Sequence, residues 1–293
     1  MRLMSAASAP RRDTRGIVDP AELLTRVRFR RHAPAPELRR YLEHYWLIDW
    51  ELTEPYATHV VPHPSVNVVF QRYGPLDGPP HAPAEASAEV AGIGLGLFTQ
   101  KLAGVGRVCG VQFRPGGFRP FAPAWPVSAW TGRRVPLAEV FATTGGEEGC
   151  DPLSAVLSPD ADHARVAALD AFLLAHGPAP DPAAEQAMEL VELIRSDRAL
   201  RRVSRLAAAS GLSARSLQRL FAACVGVGPK WVILRYRIHE ALERAEAAGP
   251  AGAPDWAALA AELGYSDQAH LVRDFTATIG VPPTAYARGV SVP

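Results

Sequence analysis

The chain has 293 residues, 48% of them hydrophobic and 21% charged, enough apolar surface to bury a core and length for about two ordinary domains. Those values exclude a wholly disordered chain, a collagen and a disulfide miniprotein. With 31 basic and 30 acidic residues the net charge is only +1, so a nucleic-acid partner has to be sought in how the charge is distributed.

Residues 1–27 carry Arg2, Arg11, Arg12 and Arg15 among Ala and Ser with no apolar run behind them. They do not read as a secretory signal and are expected to form a disordered tail. From 28 to 141 the chain is rich in Val, Phe, Trp, Gly and Pro. Runs such as His59–Phe70 and Gly106–Phe113, bounded by Pro and Gly, predict strands. Pro36–Tyr45 has the make-up of a short helix, and the proline-rich stretch Leu76–Ala88 predicts a surface loop. Residues 142–182 read as a connector with one helix over Asp160–His176, closed by Gly177-Pro-Ala-Pro-Asp-Pro182. Cys109, Cys150 and Cys224 form no Cys-x-x-Cys pair, which points to reduced thiols in a cytoplasmic protein.

No catalytic constellation stands out in the N-terminal part. Gly92-Ile-Gly-Leu-Gly96 lacks the order and the following helix of a phosphate loop, and His59 with His63 on a Pro-broken strand is poor chelate geometry. Neither a cofactor nor a metal is expected. Arg114-Pro-Gly-Gly-Phe-Arg119 reads as a turn, structural or anion-binding.

From 183 to 289 the chain is helical and repeats itself. Leu206-Ala-Ala-Ala-Ser-Gly-Leu-Ser213 corresponds to Leu259-Ala-Ala-Glu-Leu-Gly-Tyr-Ser266; each is followed by Leu-x-Arg-x-Phe (Leu217–Phe221, Leu271–Phe275) and then by Gly-Val-x-Pro (Gly226–Pro229, Gly280–Pro283). The second copy has one extra residue between Ser266 and Leu271. Each copy predicts a helix ended by Gly211 or Gly264, then a helix capped by Ser213 or Ser266. The two units fall at about 203–222 and 256–278, joined by a linking helix over about 229–247. One copy alone is as consistent with an ordinary α-hairpin as with a DNA-reading helix-turn-helix. Charge favours DNA: between Arg198 and Arg237 there are nine basic residues and no acidic one, a one-sided run suited to phosphates.

These two units with their Gly-Val-x-Pro endings resemble the DNA-binding domain of AraC/XylS-family transcription regulators. The resemblance implies two recognition helices displayed by a rigid central helix. Tyr45-Trp46, Pro62–Asn67 and Phe113–Phe118 likewise resemble a β-rich domain found ahead of this DNA-binding domain in bacterial regulators. The fold expected is α+β and multidomain: a β-rich, sensor-like N-terminal domain, then an all-α domain with two helix-turn-helix units.

Arg215, Gln218 and Arg219 share one face of the first recognition helix, where Arg can pair with guanine and Gln with adenine. On the second helix the candidates are Gln268, His270 and Arg273. That copy is expected to add less affinity, because 255–288 hold four acids against two basic residues and Ala269 offers no hydrogen bond. Phosphate contacts are expected from Arg201, Arg202, Arg205 and Lys230 and from the helix starts at Ser213 and Ser266. The function implied is a sequence-specific transcription regulator, activator or repressor, with double-stranded DNA as partner. A small-molecule effector, a second copy of the chain, and RNA polymerase for an activator are the further partners, with no membrane. The alternative is an enzyme of DNA repair or small-molecule chemistry that uses the helical domain as a DNA tether, although the metal-ligand cysteines of a repair site are lacking.

Overall fold

A computed structural model describes residues 16–74, 85–141, 151–197, 200–248 and 254–288, and the side chains of 246–248 fall outside it. The expectations for 1–15, for 76–84, for the loop Thr143–Gly149, and for Cys150 and Arg198 lie outside the described residues.

A seven-stranded antiparallel sheet forms the N-terminal part, in the order β1-β3-β6-β4-β5-β7 with β2 also on β3. Its spine is the pair β3 (Leu42–Val60) and β6 (Phe98–Phe113), extended by β4 (Asn67–Tyr73), β5 (Glu85–Ala91) and β7 (Arg134–Pro136). β1 (Ile17–Val18) pairs with the far end of β3 and β2 (Arg28–His32) with its near half. Alternation assigns the two faces. Tyr45, Leu47, Phe70, Cys109 and Val111 form one buried face, whereas Trp46, Trp50, Val69 and Val108 form the other with Leu23 of helix α1 (Pro20–Arg26). Gly110 and Gly106 lie under Trp46 and Trp50: a Cβ at either would stand 2.0 or 1.9 Å from the indole.

Four expectations are corrected here. Residues 16–27 are not a tail: Val61 N–H donates to Gly16 O, and α1 is capped by the Asp19 carboxylate. Pro36–Tyr45 is not a helix, since Pro36–Tyr41 form turns and Leu42–Tyr45 begin β3, and Glu85–Ala88 belong to β5 and not to a loop. Beyond the single turn α2 (Leu137–Val140), the connector holds two helices, since α3 (Pro152–Leu157), capped by Asp151, precedes α4 (Asp162–His176). Both helices cover the sheet and do not merely lead away from it. Tyr45 Oη donates to Asp170 at 2.7 Å, and Phe172 meets Phe70 edge-on at 5.6 Å. Asp49 on β3 accepts from Arg107 at 2.7 Å and from the buried Arg165 of α4 at 3.0 Å, while Arg30 bridges Asp49 to Asp162. Burial opposes the charge on Asp49, but hydrogen bonds from Arg165, Arg30 and Arg107 hold its carboxyl below the usual range.

Among the described residues six helices follow: α5 (Pro182–Ser196), α6 (Val203–Ser210), α7 (Ala214–Cys224), α8 (Pro229–Ala248), α9 (Trp256–Leu263) and α10 (Gln268–Ile279), and after them the single turn α11 (Pro283–Tyr286). They share cores with the sheet domain. One apolar cluster runs from Phe70 and Phe113 through Phe118 and Val127 to Leu217, Phe221 and Val232, and a second joins Val18 and Val61 to α8, α9 and α10. Polar contacts pin the same junction. Thr131 Oγ1 donates to Gly226 O at 2.6 Å, Arg119 pairs with Asp181 at 3.1 Å, and Arg235 donates to Leu95 O at 2.8 Å. His63 stacks on His239 at 4.1 Å. The loop Gly92–Gly96 and the Arg119 turn are therefore junction pieces; Arg114 likewise is held by Glu43 and by backbone carbonyls.

Candidate nucleic-acid interface

The first helix-turn-helix is built from backbone requirements that small residues meet. Gly211 ends α6 in the left-handed region, φ 69°, where a side chain costs about 1 kcal/mol. Ser213 then caps α7, its hydroxyl accepting from Ser216 N–H at 3.1 Å. Leu217 and Phe221 turn inward and are fully buried. That orientation leaves Arg215, Gln218 and Arg219 exposed on the outward face of α7. The Gln218 amide lies beside the start of α8, where a Cβ on Gly228 would be 2.9 Å from its Oε1.

The second unit follows the same plan with a shifted cap. Gly264, φ 76°, ends α9, but the cap of α10 is Asp267, whose carboxylate accepts from His270 N–H at 2.7 Å. Ser266 is not the cap. Its hydroxyl donates to Asp267 and stands 3.3 Å from His270 Nδ1. The extra residue of the second copy thus sits in the turn, and Asp267, not Ser266, is the counterpart of Ser213. Measured from the caps, Arg215 corresponds to Ala269, Gln218 to Val272 and Arg219 to Arg273. Only Arg273 carries a base-reading side chain at a matching position. Gln268 is exposed in the first turn, whereas His270 is half-buried, packed edge-on against Tyr265 at 5.2 Å and 3.7 Å from Asp274.

Electrostatics separates the two helix starts. Ser213 leaves a neutral N-terminus open to a phosphate. Asp267 puts a negative charge there, and the His270 N–H that it accepts holds its carboxyl below the usual range.

Of the basic residues between Arg198 and Arg237, Arg202, Arg205, Arg215, Arg219 and Lys230 are exposed. Three others, the exposed Arg201 among them, are engaged by groups of the protein itself. Arg201, expected on a phosphate, donates to Ala261 O at 3.3 Å and to Glu262 O, the last carbonyls of α9. Arg237 donates to Arg201 O and lies over the Tyr265 ring. Arg235 is 5% exposed and stacks 4.4 Å over Trp231; burial pulls its guanidinium down to about 10. A sequence count cannot separate these three from the other five, because their partners lie up to 140 residues away. Among the described residues no group of His, Cys, Asp and Glu is placed to hold a metal. No single described helix is long and apolar enough to cross a membrane.

Two families match the chain. Residues 30–136 match a domain of unknown function, DUF6597, and residues 206–289 match the helix-turn-helix domain family HTH_18. No curated protein matches the chain significantly. Among solved structures, ToxT from Vibrio cholerae is similar over 83% of this chain and 97% of its own at 12% identity, with a TM-score of 0.39. Wild-type ToxT from strain SCE256 bound to an unsaturated fatty acid aligns over 83% and 94% at 14% identity, again at 0.39.

Proposed function

We propose that this chain, whose residues 206–289 match a helix-turn-helix domain family, is a DNA-binding transcription regulator of the AraC type in which α7 is the principal reader of DNA sequence and α10 the lesser one. The observation that carries this reading is the exposed face of α7. Arg215, Gln218 and Arg219 project together from a helix whose opposite side is locked in the core. Arg215 and Arg219 are suited to guanine O6 and N7, and Gln218 to adenine N6 and N7. Arg202, Arg205 and Lys230 flank that face as phosphate contacts, with Ser213 at the helix start. On α10, Arg273 reads a base with Gln268 at the rim. His270 and Ser266 serve as minor contacts, because each is partly occupied within the turn.

The sheet domain, in this reading, biases how the two helices present themselves. Its cores run into both helix-turn-helix units, so an effector that favours one arrangement of the junction alters DNA affinity. A second copy of the chain and, for activation, RNA polymerase are further partners in the cytoplasm. Regulators of this type act in general by binding and not by catalysis.

Selection of bound sequences from a randomised duplex pool, followed by titration at several salt concentrations, tests the assignment. Arg219→Ala should relax preference at one or two base positions and cost about 1–3 kcal/mol. Lys230→Ala should weaken all sequences alike and make the salt slope shallower by about 0.9. If Arg219→Ala kept both affinity and preference, α7 would not be the reader.

A further inference from the structure

The two recognition helices belong to separate units, and reading two DNA segments at once requires a fixed relation between them. Half-sites on one DNA face repeat at about one helical turn, so rotation of one unit against the other changes the spacing that fits. Helix α8 joins the units, yet a second link crosses between them near the turn of the second unit. Arg201 lies in the segment before α6. Its guanidinium reaches the carbonyls of Ala261 and Glu262 at the C-terminus of α9, where a cation meets the negative end of the helix. Its own carbonyl accepts from Arg237 of α8, whose guanidinium lies 5.5 Å over the ring of Tyr265 in the same turn. Gly264 makes room for the link, because a Cβ there would stand 2.1 Å from Arg201 Cδ. Three pieces of the domain thus meet at one point: the lead into unit one, the central helix, and the turn of unit two.

We propose that Arg201 and Arg237 are positioning residues that fix the orientation of the second helix-turn-helix unit against the first, and with it the spacing between the two DNA segments the protein accepts. The inference rests on the reading that α7 and α10 both contact DNA. Arg201 acts through two backbone carbonyls and not through a phosphate, so its geometry matters more than its charge. Lysine, a point charge without the planar fork, replaces only the charge.

The test uses the full chain and a randomised duplex pool, with sequencing of the bound fraction. The wild type should enrich a two-part motif with one dominant spacing. Arg201→Ala, Arg201→Lys and Arg237→Met should keep the bases of each part but spread the spacing over two or more values, with affinity for the wild-type spacing down about tenfold. Arg201→Lys should also keep the wild-type salt slope. Thermal melts of the variants identify any that fail to fold, and Arg201→Lys, the mildest change, then decides the matter. Retained single spacing in folded Arg201→Lys and Arg237→Met variants would overturn the proposal, and so would a wild-type motif of one part only. Failure of the underlying reading is distinguishable, because it shows as a motif insensitive to Arg219→Ala whatever the spacing.

Discussion

Arg235 is a cation that the fold buries at a cost. The residue is 5% exposed; among the described residues its guanidinium donates to the carbonyl of Leu95, and its buried Nη1 has no hydrogen-bond partner. Burying a cation without a counter-ion disfavours the charged form. The lowered pKa has a definite sign: the charged fold is penalised at every pH below about 10, and the penalty fades as pH rises through that value. Arg235→Met keeps an apolar stem over Trp231 and removes the charge. It should stabilise the protein at neutral pH by about 1–3 kcal/mol, seen as a melting midpoint raised by a few degrees; a lower midpoint would mean that the Leu95 contact outweighs desolvation. In sequence Arg235 is indistinguishable from Lys230, since both sit in the same acid-free run. Helical spacing places Trp231 and Arg235 on one face, but the loop that buries that face lies about 140 residues earlier and leaves no local trace.

At the scale of elements, helices α7 and α10 differ in their caps, Ser213 against Asp267, as well as in their outward-facing residues. Replacing the α10 cap by Asp267→Ser keeps a capping oxygen and removes the negative charge from a helix start proposed to face a phosphate. DNA affinity should rise several-fold at low salt with the melting midpoint little changed, and an unchanged affinity would place that start away from the DNA backbone. The repeat itself was legible because Gly211 and Gly264 meet a backbone requirement that few residues satisfy. The shift of the cap from Ser266 to Asp267 was not, since both residues cap helices well and only the coordinates show which does. Helix α4 carries an acid-dependent anchor of the same legibility. Arg30, which hydrogen-bonds Asp162, holds that carboxyl down at about 2, across 132 residues of sequence. A depressed carboxylate stabilises the fold above its unfolded value and loses that contribution as pH falls from about 4 to about 2. Asp162→Asn should therefore cost about 1–2 kcal/mol at neutral pH after solvent screening and flatten the acid limb of a stability–pH profile. A variant with the wild-type acid limb would assign that limb to Asp49 instead.

Across the whole molecule, the proposed control of DNA binding requires two states whose free energies an effector separates, and the junction is the place proposed for their difference. Its apolar part is continuous from the sheet to α7 and α8, which favours melting as one cooperative unit. Its polar part is concentrated where Gly226, φ 100°, packs under Thr131, Val127 and Ile93 and accepts the Thr131 hydroxyl hydrogen bond. Thr131→Asp turns that donor into an ionised acceptor facing a carbonyl oxygen, with no N–H or cation shown at the Gly226 contact to satisfy it. The sheet and helical parts should then uncouple. Calorimetry should show the single wild-type transition split in two, and DNA affinity at fixed salt should move away from the wild-type value, since the helices are released from one junction geometry. The outcome that refutes this is one transition with wild-type affinity, which would locate the coupling at the second core, where Val18 and Val61 meet α8 and α9. That core touches the other recognition unit, so the two outcomes also decide which of the two DNA readers the sheet domain commands.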